Sequence, residues 1–214
     1  MGLPVLSAQE PSADPVATTR GLPAYVRLLP KPEVEPWQKI TPKERFVQYR
    51  QTTFSWVALL QAAAGASISQ GVNTPSEWGQ GWDSYGVRVG SAYGSRLISN
   101  TVIYGASALL HEDTRYFRSK SPKLGGRLAH VIVSPYTART DSGSTRFSAS
   151  MFLGSASYAG AQLAWSPKSS QGWDNVGFNY LLWYGQTAGL NFAKELYPSI
   201  AQYFRHHKAN SGTK

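Results

Sequence analysis

Residues 74–118 read TPSEWGQGWDSYGVRVGSAYGSRLISNTVIYGASALLHEDTRYFR, and this stretch decides how the rest of the chain is read. Thr74-Pro75-Ser76-Glu77 has the form of a capping box: threonine as N-cap, proline at the first helical position, glutamate at N3. A central helix is therefore expected to start at Thr74. Gly86, Gly90 and Gly94 recur every four residues and fall on one helical face. Arg88 and Arg96 are offset from them by two residues, roughly 200° of helical rotation. Three glycines weaken a helix by roughly 1 kcal/mol each relative to alanine. Keeping them at one spacing predicts a bare face against which another backbone packs.

The same style recurs along the chain. Thr41-Pro42-Lys43-Glu44 is a second capping box, predicting a helix from there to Gly71 with Ala58, Ala62 and Ala66 as its ridge. A third helix is expected over 147–165, with Ala156, Gly160 and Ala164. A fourth is expected over 175–196, with Gly185, Gly189 and Ala193, interrupted by Pro198. The predicted fold class is all-α, a bundle of four principal helices packed through these small-residue ridges. Residues 1–40 form an irregular, proline-rich tether, 41–205 the helical domain and 206–214 a polar tail. Residues 1–8, a short apolar run beside alanine, have two readings: the remnant of a signal peptide or an ordinary flexible end.

Charge and composition narrow the classes. The 214 residues carry a net charge of +9 and no cysteine, which excludes disulfides, thiolate metal sites and cysteine nucleophiles. Lys39, Lys43, Arg45 and Arg50 precede the first helix. Seven basic residues, from Arg115 to Arg146, lie between the second and third helices, and Lys194, Arg205, Lys208 and Lys214 end the chain. The other two connectors carry little charge, but Trp78, Trp82, Trp165 and Trp173 gather there. Basic residues on alternate turns, with tryptophans opposite, match the positive-inside rule and aromatic belt of a membrane bundle. Small-residue ridges are also how helices associate in lipid. Polar residues within the helices (Gln61, Gln70, Asn100, Gln162, Asn179, Gln186) fit a water-soluble bundle instead. Arg96 inside the second helix costs roughly 2.5 to 3.5 kcal/mol at a bilayer centre unless paired. Membrane or anionic lipid is the expected partner, with a second copy of the chain as a further one. Nucleic acid is not expected, because the basic residues sit between helices and no recognition motif is present.

Searching for chemistry returns near misses. His111-Glu112-Asp113-Thr114-Arg115 approaches a zinc-protease helix, but arginine stands where the second histidine belongs. Gly79-Gln80-Gly81 begins a dinucleotide fingerprint that Ser84 breaks, and no strand precedes it. Gly105-Ala106-Ser107-Ala108-Leu109 lacks the final glycine of a nucleophile elbow. No catalytic residue, cofactor or metal is assigned. The remaining candidate is a polar site of His111, Glu112, Asp113, Arg115, Arg139 and Asp141, which converge if the basic connector folds back on the central helix. Its bland reading is a salt-bridged junction. Its sharper reading is an acid–base or anion site built on His111, Glu112 and Arg115.

With Glu77-Trp78-Gly79-Gln80-Gly81, His111 to Arg118 and Thr140-Asp141-Ser142-Gly143 in view, the chain resembles a family of exported bacterial envelope proteins. The resemblance spans roughly 41–199. It implies a bacterial source and a location in the membrane or periplasm, and carries no activity, ligand or catalytic residue. The expected function is a non-enzymatic structural or interaction protein, inserted in or lying on a membrane. The competing expectation is a soluble periplasmic enzyme or anion-binding module.

Overall fold

The computed structural model describes Leu22, 30–33 and 36–211, with side chains described as far as Phe204. Residues 1–8, like most of the expected tether, lie outside the described residues. The chain is mostly helical, with six α-helices and one small sheet among the described residues. Packing divides it into two units: Pro30–Glu195, and Met1–Leu29 together with Leu196–Lys214. In the second unit Leu22 packs against Tyr197 and Ala201. The packing and the sites described below lie within Pro30–Glu195.

Helix α1 spans Pro42–Thr53 and starts with the expected box: the Thr41 side chain accepts from the Glu44 N–H, and the Glu44 carboxylate accepts from the Thr41 N–H. The expected single helix to Gly71 is broken, however. Ser55 caps a new helix, α2 (Trp56–Gly71), by accepting from the Ala58 N–H. The break persists because the freed carbonyls find partners on the long helix over Trp82–Leu109. Tyr93 donates its hydroxyl to the Thr53 carbonyl, and Asn100 donates to the Thr52 carbonyl.

The central helix also differs from expectation. Helix α3 covers Trp82–Leu109 and is preceded by Gly81, not by Thr74. Asn73, at φ +51°, ends α2 in the left-handed region, where asparagine is tolerated. Ser76–Trp78 then makes one 3-10 turn after a cis Thr74–Pro75 bond. Arg88 explains why the lookalike box is not used. Its guanidinium donates to the carbonyls of Thr74, Pro75 and Gly79 and to Gln70 Oε1. Four acceptors spread over 70–79 hold the loop wrapped around the arginine, and a helix there would consume the same carbonyls.

The all-α expectation fails in the basic connector. A three-stranded antiparallel sheet forms there, in the order β1 (Glu112–Asp113), β2 (Thr137–Thr140), β3 (Thr145–Phe147). Glu112 pairs with Thr140, and Thr137 with Phe147. Residues 141–144 make the β2–β3 turn, with Gly143 at φ +81° under the Trp37 ring. Helix α4 (Leu124–Val133) lies between β1 and β2. Helix α5 (Ala149–Trp165) follows β3, so Phe147 belongs to a strand and not to the third helix. Helix α6 (Trp173–Ser211) runs through Pro198 without ending there.

Helices α3 and α5 run antiparallel. Ser91 donates to Gln162 Oε1 at 2.6 Å, and Ser99 donates to the Gly154 carbonyl at 2.8 Å. Of the four expected ridges, only Ala58, Ala62 and Ala66 are buried as a set. Gly86, Gly90, Ala156, Gly160, Ala164, Gly185 and Gly189 are exposed. Gly94 is half-buried beneath the Trp165 ring, and Ala193 is half-buried. The opposite faces turn inward because they carry the hydrogen-bonding groups. On α3 these are Arg88, Ser91, Ser95, Arg96 and Ser99; on α5 they are Ser150, Ser155, Tyr158 and Gln162. Buried polar groups need partners: Ser91 and Ser99 find them across the α3–α5 seam, Arg88 in the loop before α3, Arg96 at Gln186 and Ser150 at Glu112.

Candidate functional site

The turn from α3 into β1 places the expected polar site. Leu110 ends the helix, and His111, at φ +53°, reverses the chain so that Glu112 and Asp113 point in different directions. Glu112 reaches the start of α5. Its carboxylate accepts from the Ser148 and Ser150 hydroxyls at 2.7 and 2.6 Å and from the Ala149 and Ser150 N–H groups at 3.1 Å each. A helix N-terminus offers unpaired N–H donors and a positive dipole end. Burial alone would raise the Glu112 pKa. The Ser150 and Ser148 hydroxyls and the two backbone donors outweigh it and hold the carboxyl below its usual range.

Asp113 turns the other way. Arg115 binds it in a fork, Nε to Oδ1 at 2.9 Å and Nη2 to Oδ2 at 2.7 Å, and Trp37 donates to Oδ2 at 3.0 Å. Arg115 also donates to the Gln38 carbonyl at 2.8 Å, tying the segment before α1 to the sheet. Arg45 donates to the Glu112 carbonyl and to Ser107. The Arg139 guanidinium lies 4.0 Å over the Phe117 ring. Asp141 pairs with Lys39 and sits 3.5 Å from His111 Nδ1.

The six expected residues thus share a junction but not a cavity. Glu112 and Asp113 are buried and each is committed to its own bracing partners. Asp141 lies at the exposed rim and Arg139 on an aromatic face. A carboxylate held ionised by four donors is a poor proton acceptor. The geometry is that of a junction pinning α1, α3, α5 and the sheet together.

A second buried cluster escaped the sequence. Glu195 accepts from the Tyr116 hydroxyl at 2.7 Å, the Ser119 N–H at 3.1 Å and Arg127 Nε at 2.7 Å. Arg127 also donates to the Glu195 carbonyl, and His130 Nε2 contacts the Phe117 carbonyl at 2.9 Å. Among residues 175–195 Glu195 is the lone glutamate, a signal that was available and unread. Among the described residues, no group of three or more acidic or histidine side chains is arranged to hold a metal.

These ties fix the inward face of α4, which also buries Val131. Its polar side chains, Arg127 and His130, face inward, whereas Leu124, Leu128 and Ile132, at four-residue spacing, form an exposed stripe. Lys123 immediately precedes it. The pattern extends across the unit. Phe54, Leu59, Leu60, Phe152, Leu153 and Leu181 are exposed, and Trp82 and Trp173 are 87% and 89% exposed. The interior holds serines, Gln162, Arg88 and Arg96 beside alanines, Phe117, Val131, Tyr158 and Trp183. Among the described residues no helix is long and apolar enough to cross a membrane. Comparison of the chain with protein-family models, curated proteins and solved structures finds no match.

Proposed function

We propose that this chain is a non-enzymatic interaction protein of the bacterial cell envelope, held against an anionic membrane surface by its outward apolar residues. In this reading α2, α3, α5 and α6 are the four principal helices, and α4 lies flat in the lipid headgroup layer. The observation that carries it is the outward apolar stripe of α4: Leu124, Leu128 and Ile132 face out, while Arg127 and His130 are tied inward beside Val131. An amphipathic helix with an apolar stripe and flanking lysine is the usual form of an interfacial anchor.

Magnitudes favour reversible attachment. Burying an exposed leucine or isoleucine contributes roughly 1.5–3 kcal/mol, and these three are about half exposed, leaving roughly 2–5 kcal/mol together. Each lysine near an anionic surface adds about 1 kcal/mol. That sum suits a peripheral protein that salt weakens. The bracing of Glu112 and Asp113 supports a non-enzymatic reading, since both carboxylates are occupied in structure.

Vesicle flotation tests the proposal. The full chain is expected to float with phosphatidylglycerol-containing vesicles at low salt, to remain below with pure phosphatidylcholine, and to be released by alkaline carbonate. Equal recovery below both vesicle types would rule out the lipid partner.

A further inference from the structure

The chain contains one motif twice. Residues 80–94 read QGWDSYGVRVGSAYG and residues 171–185 read QGWDNVGFNYLLWYG, identical at seven of fifteen positions. The structure repeats with the sequence. In both copies a helix ends, Thr74-Pro75 or Ser166-Pro167 opens a single 3-10 turn, and Gln-Gly-Trp-Asp leads into the next helix. Most of the repeated side chains have a structural duty. Gln80 donates to the Gln70 carbonyl near the end of α2, and Gln171 to the Leu163 and Ser166 carbonyls at the end of α5. Tyr93 and Tyr184 donate their hydroxyls to the Thr53 and Ile132 carbonyls. Asp83 and Asp174 lie in a first helical turn, where a carboxylate meets the positive end of the dipole. Trp82 and Trp173 are the exception, since both indoles stand almost wholly in solvent.

The two copies meet at one end of the bundle. The Glu77 carboxylate accepts from the Ser169 hydroxyl, joining the loop before α3 to the loop before α6. Charge at this end rules out the lipid assigned to α4. Between Val72 and Val87 the charged residues are Glu77 and Asp83, and between Ser166 and Leu182 they are Lys168 and Asp174. Three carboxylates against one lysine repel an anionic surface, and equally a second copy docked through the same end. Area rules out a stable protein partner. Two exposed indoles offer roughly 300–500 Å², against about 800 Å² per partner in a standard interface. What fits is a slender, uncharged ligand with flat apolar faces and hydroxyl edges. A glucose-type pyranose ring has this form: its substituents are equatorial, so axial C–H bonds cover both faces and stack on an indole. Its hydroxyls can donate to carboxylates such as Asp83 and Asp174. A chain of such rings engages both indoles at once, and the joined contacts bind more tightly than either alone.

We propose that Trp82 and Trp173 form a two-point binding site for a β-1,4-linked glycan of glucose-type rings, one ring stacked on each indole. Its source, the glycan strand of the cell wall, rests on the envelope reading above, whereas the site itself does not depend on the lipid contact. Cosedimentation of the full chain with purified cell-wall sacculi tests the proposal. It is run in about 0.5 M sodium chloride, which screens the +9 charge of the chain. Wild type is expected to sediment and chitohexaose to release it. Trp82→Ala and Trp173→Ala are each expected to weaken retention about tenfold, as loss of an aromatic anchor does, and W82A/W173A to abolish it. Both side chains stand in solvent, so the urea midpoints of these variants are expected to match wild type. Saturation-transfer NMR of chitohexaose with wild type needs no variant, and transfer to the sugar ring protons is expected. Equal retention of wild type and the double variant, or no transfer to chitohexaose, overturns the site. Transfer that requires both tryptophans, without retention on sacculi, upholds the site and overturns its cell-wall source. Capture by phosphatidylcholine vesicles that the double variant loses, with no transfer to chitohexaose, makes the pair a lipid anchor and overturns the glycan.

Discussion

Glu112 Oε2 accepts both the hydroxyl of Ser150, at 2.6 Å, and its backbone N–H, at 3.1 Å. One carboxylate from a two-residue strand thus closes the first turn of α5, thirty-eight positions along the chain. It does the work of a helix cap from outside the helix.

This relationship fixes a pH dependence. The Glu112 pKa is lowered on folding, so its stabilisation is present above the unfolded value of about 4.3 and is lost as pH falls through the lower folded value. Glu112→Gln keeps the shape but removes the charge from four hydrogen bonds. A loss of about 2 kcal/mol is expected at pH 7, read from urea midpoints, with the gap from wild type closing as pH drops below 4. A gap independent of pH would contradict the ionised cap.

The Glu195 cluster predicts a larger effect. Arg127→Ala leaves a buried carboxylate with Tyr116, Ser119 and the longer ion pair to Arg118 at 3.7 Å, and removal of one partner from such a buried pair costs up to about 3–5 kcal/mol. Arg127→Lys is expected to recover only part of this, since a lysine cannot reach both the carboxylate and the Glu195 carbonyl as a fork does. Thermal unfolding of the two variants gives the comparison.

Glycines separate the inner from the outer faces. A Cβ at Gly154 would collide with Ile103, so Gly154→Ala is expected to destabilise by about 1–3 kcal/mol through overpacking. Nothing lies within 4 Å of a Cβ at Gly160, so Gly160→Ala is expected to stabilise by up to about 1 kcal/mol through helix propensity. Matching losses at both sites would return Gly160 to a packed ridge.

Arg88 governs the loop before α3. Arg88→Met keeps bulk and removes every donor, leaving the carbonyls of Thr74, Pro75 and Gly79 to find other partners. Hydrogen exchange is expected to accelerate in 73–81 well before α3 itself is affected, reading local release in place of global unfolding.

How far the sequence could be read depended on where partners lay. The Thr41 box and the Ala58, Ala62, Ala66 face were legible because cap and ridge are local features. Thr74-Pro75-Ser76-Glu77 carries the same threonine, proline and glutamate, yet the Thr74 and Pro75 carbonyls are claimed by Arg88, fourteen and thirteen residues ahead, which no local pattern displays. The glycine series was visible and its direction was not. Spacing shows that Gly86, Gly90 and Gly94 share a face, but which face turns inward was decided by Ser91 and Ser99 meeting Gln162 and Gly154. The polar run 111–118 was visible as a run, whereas its division between the α5 cap and the Arg115 fork follows from the reversal at His111. The strands, of two to four residues, are too short to show an alternating pattern.

The central claim is that α4 turns its apolar stripe to lipid. The chain contains no cysteine, so a single introduced thiol is unique. A nitroxide on Leu128→Cys, measured with phosphatidylglycerol-containing vesicles, reports the stripe's surroundings through its accessibility to oxygen and to a water-soluble nickel chelate. The account predicts that vesicles raise oxygen access and suppress nickel access at position 128, while a label at Lys43→Cys stays open to nickel. Unchanged nickel access at position 128, with the protein bound to the vesicles, would contradict it.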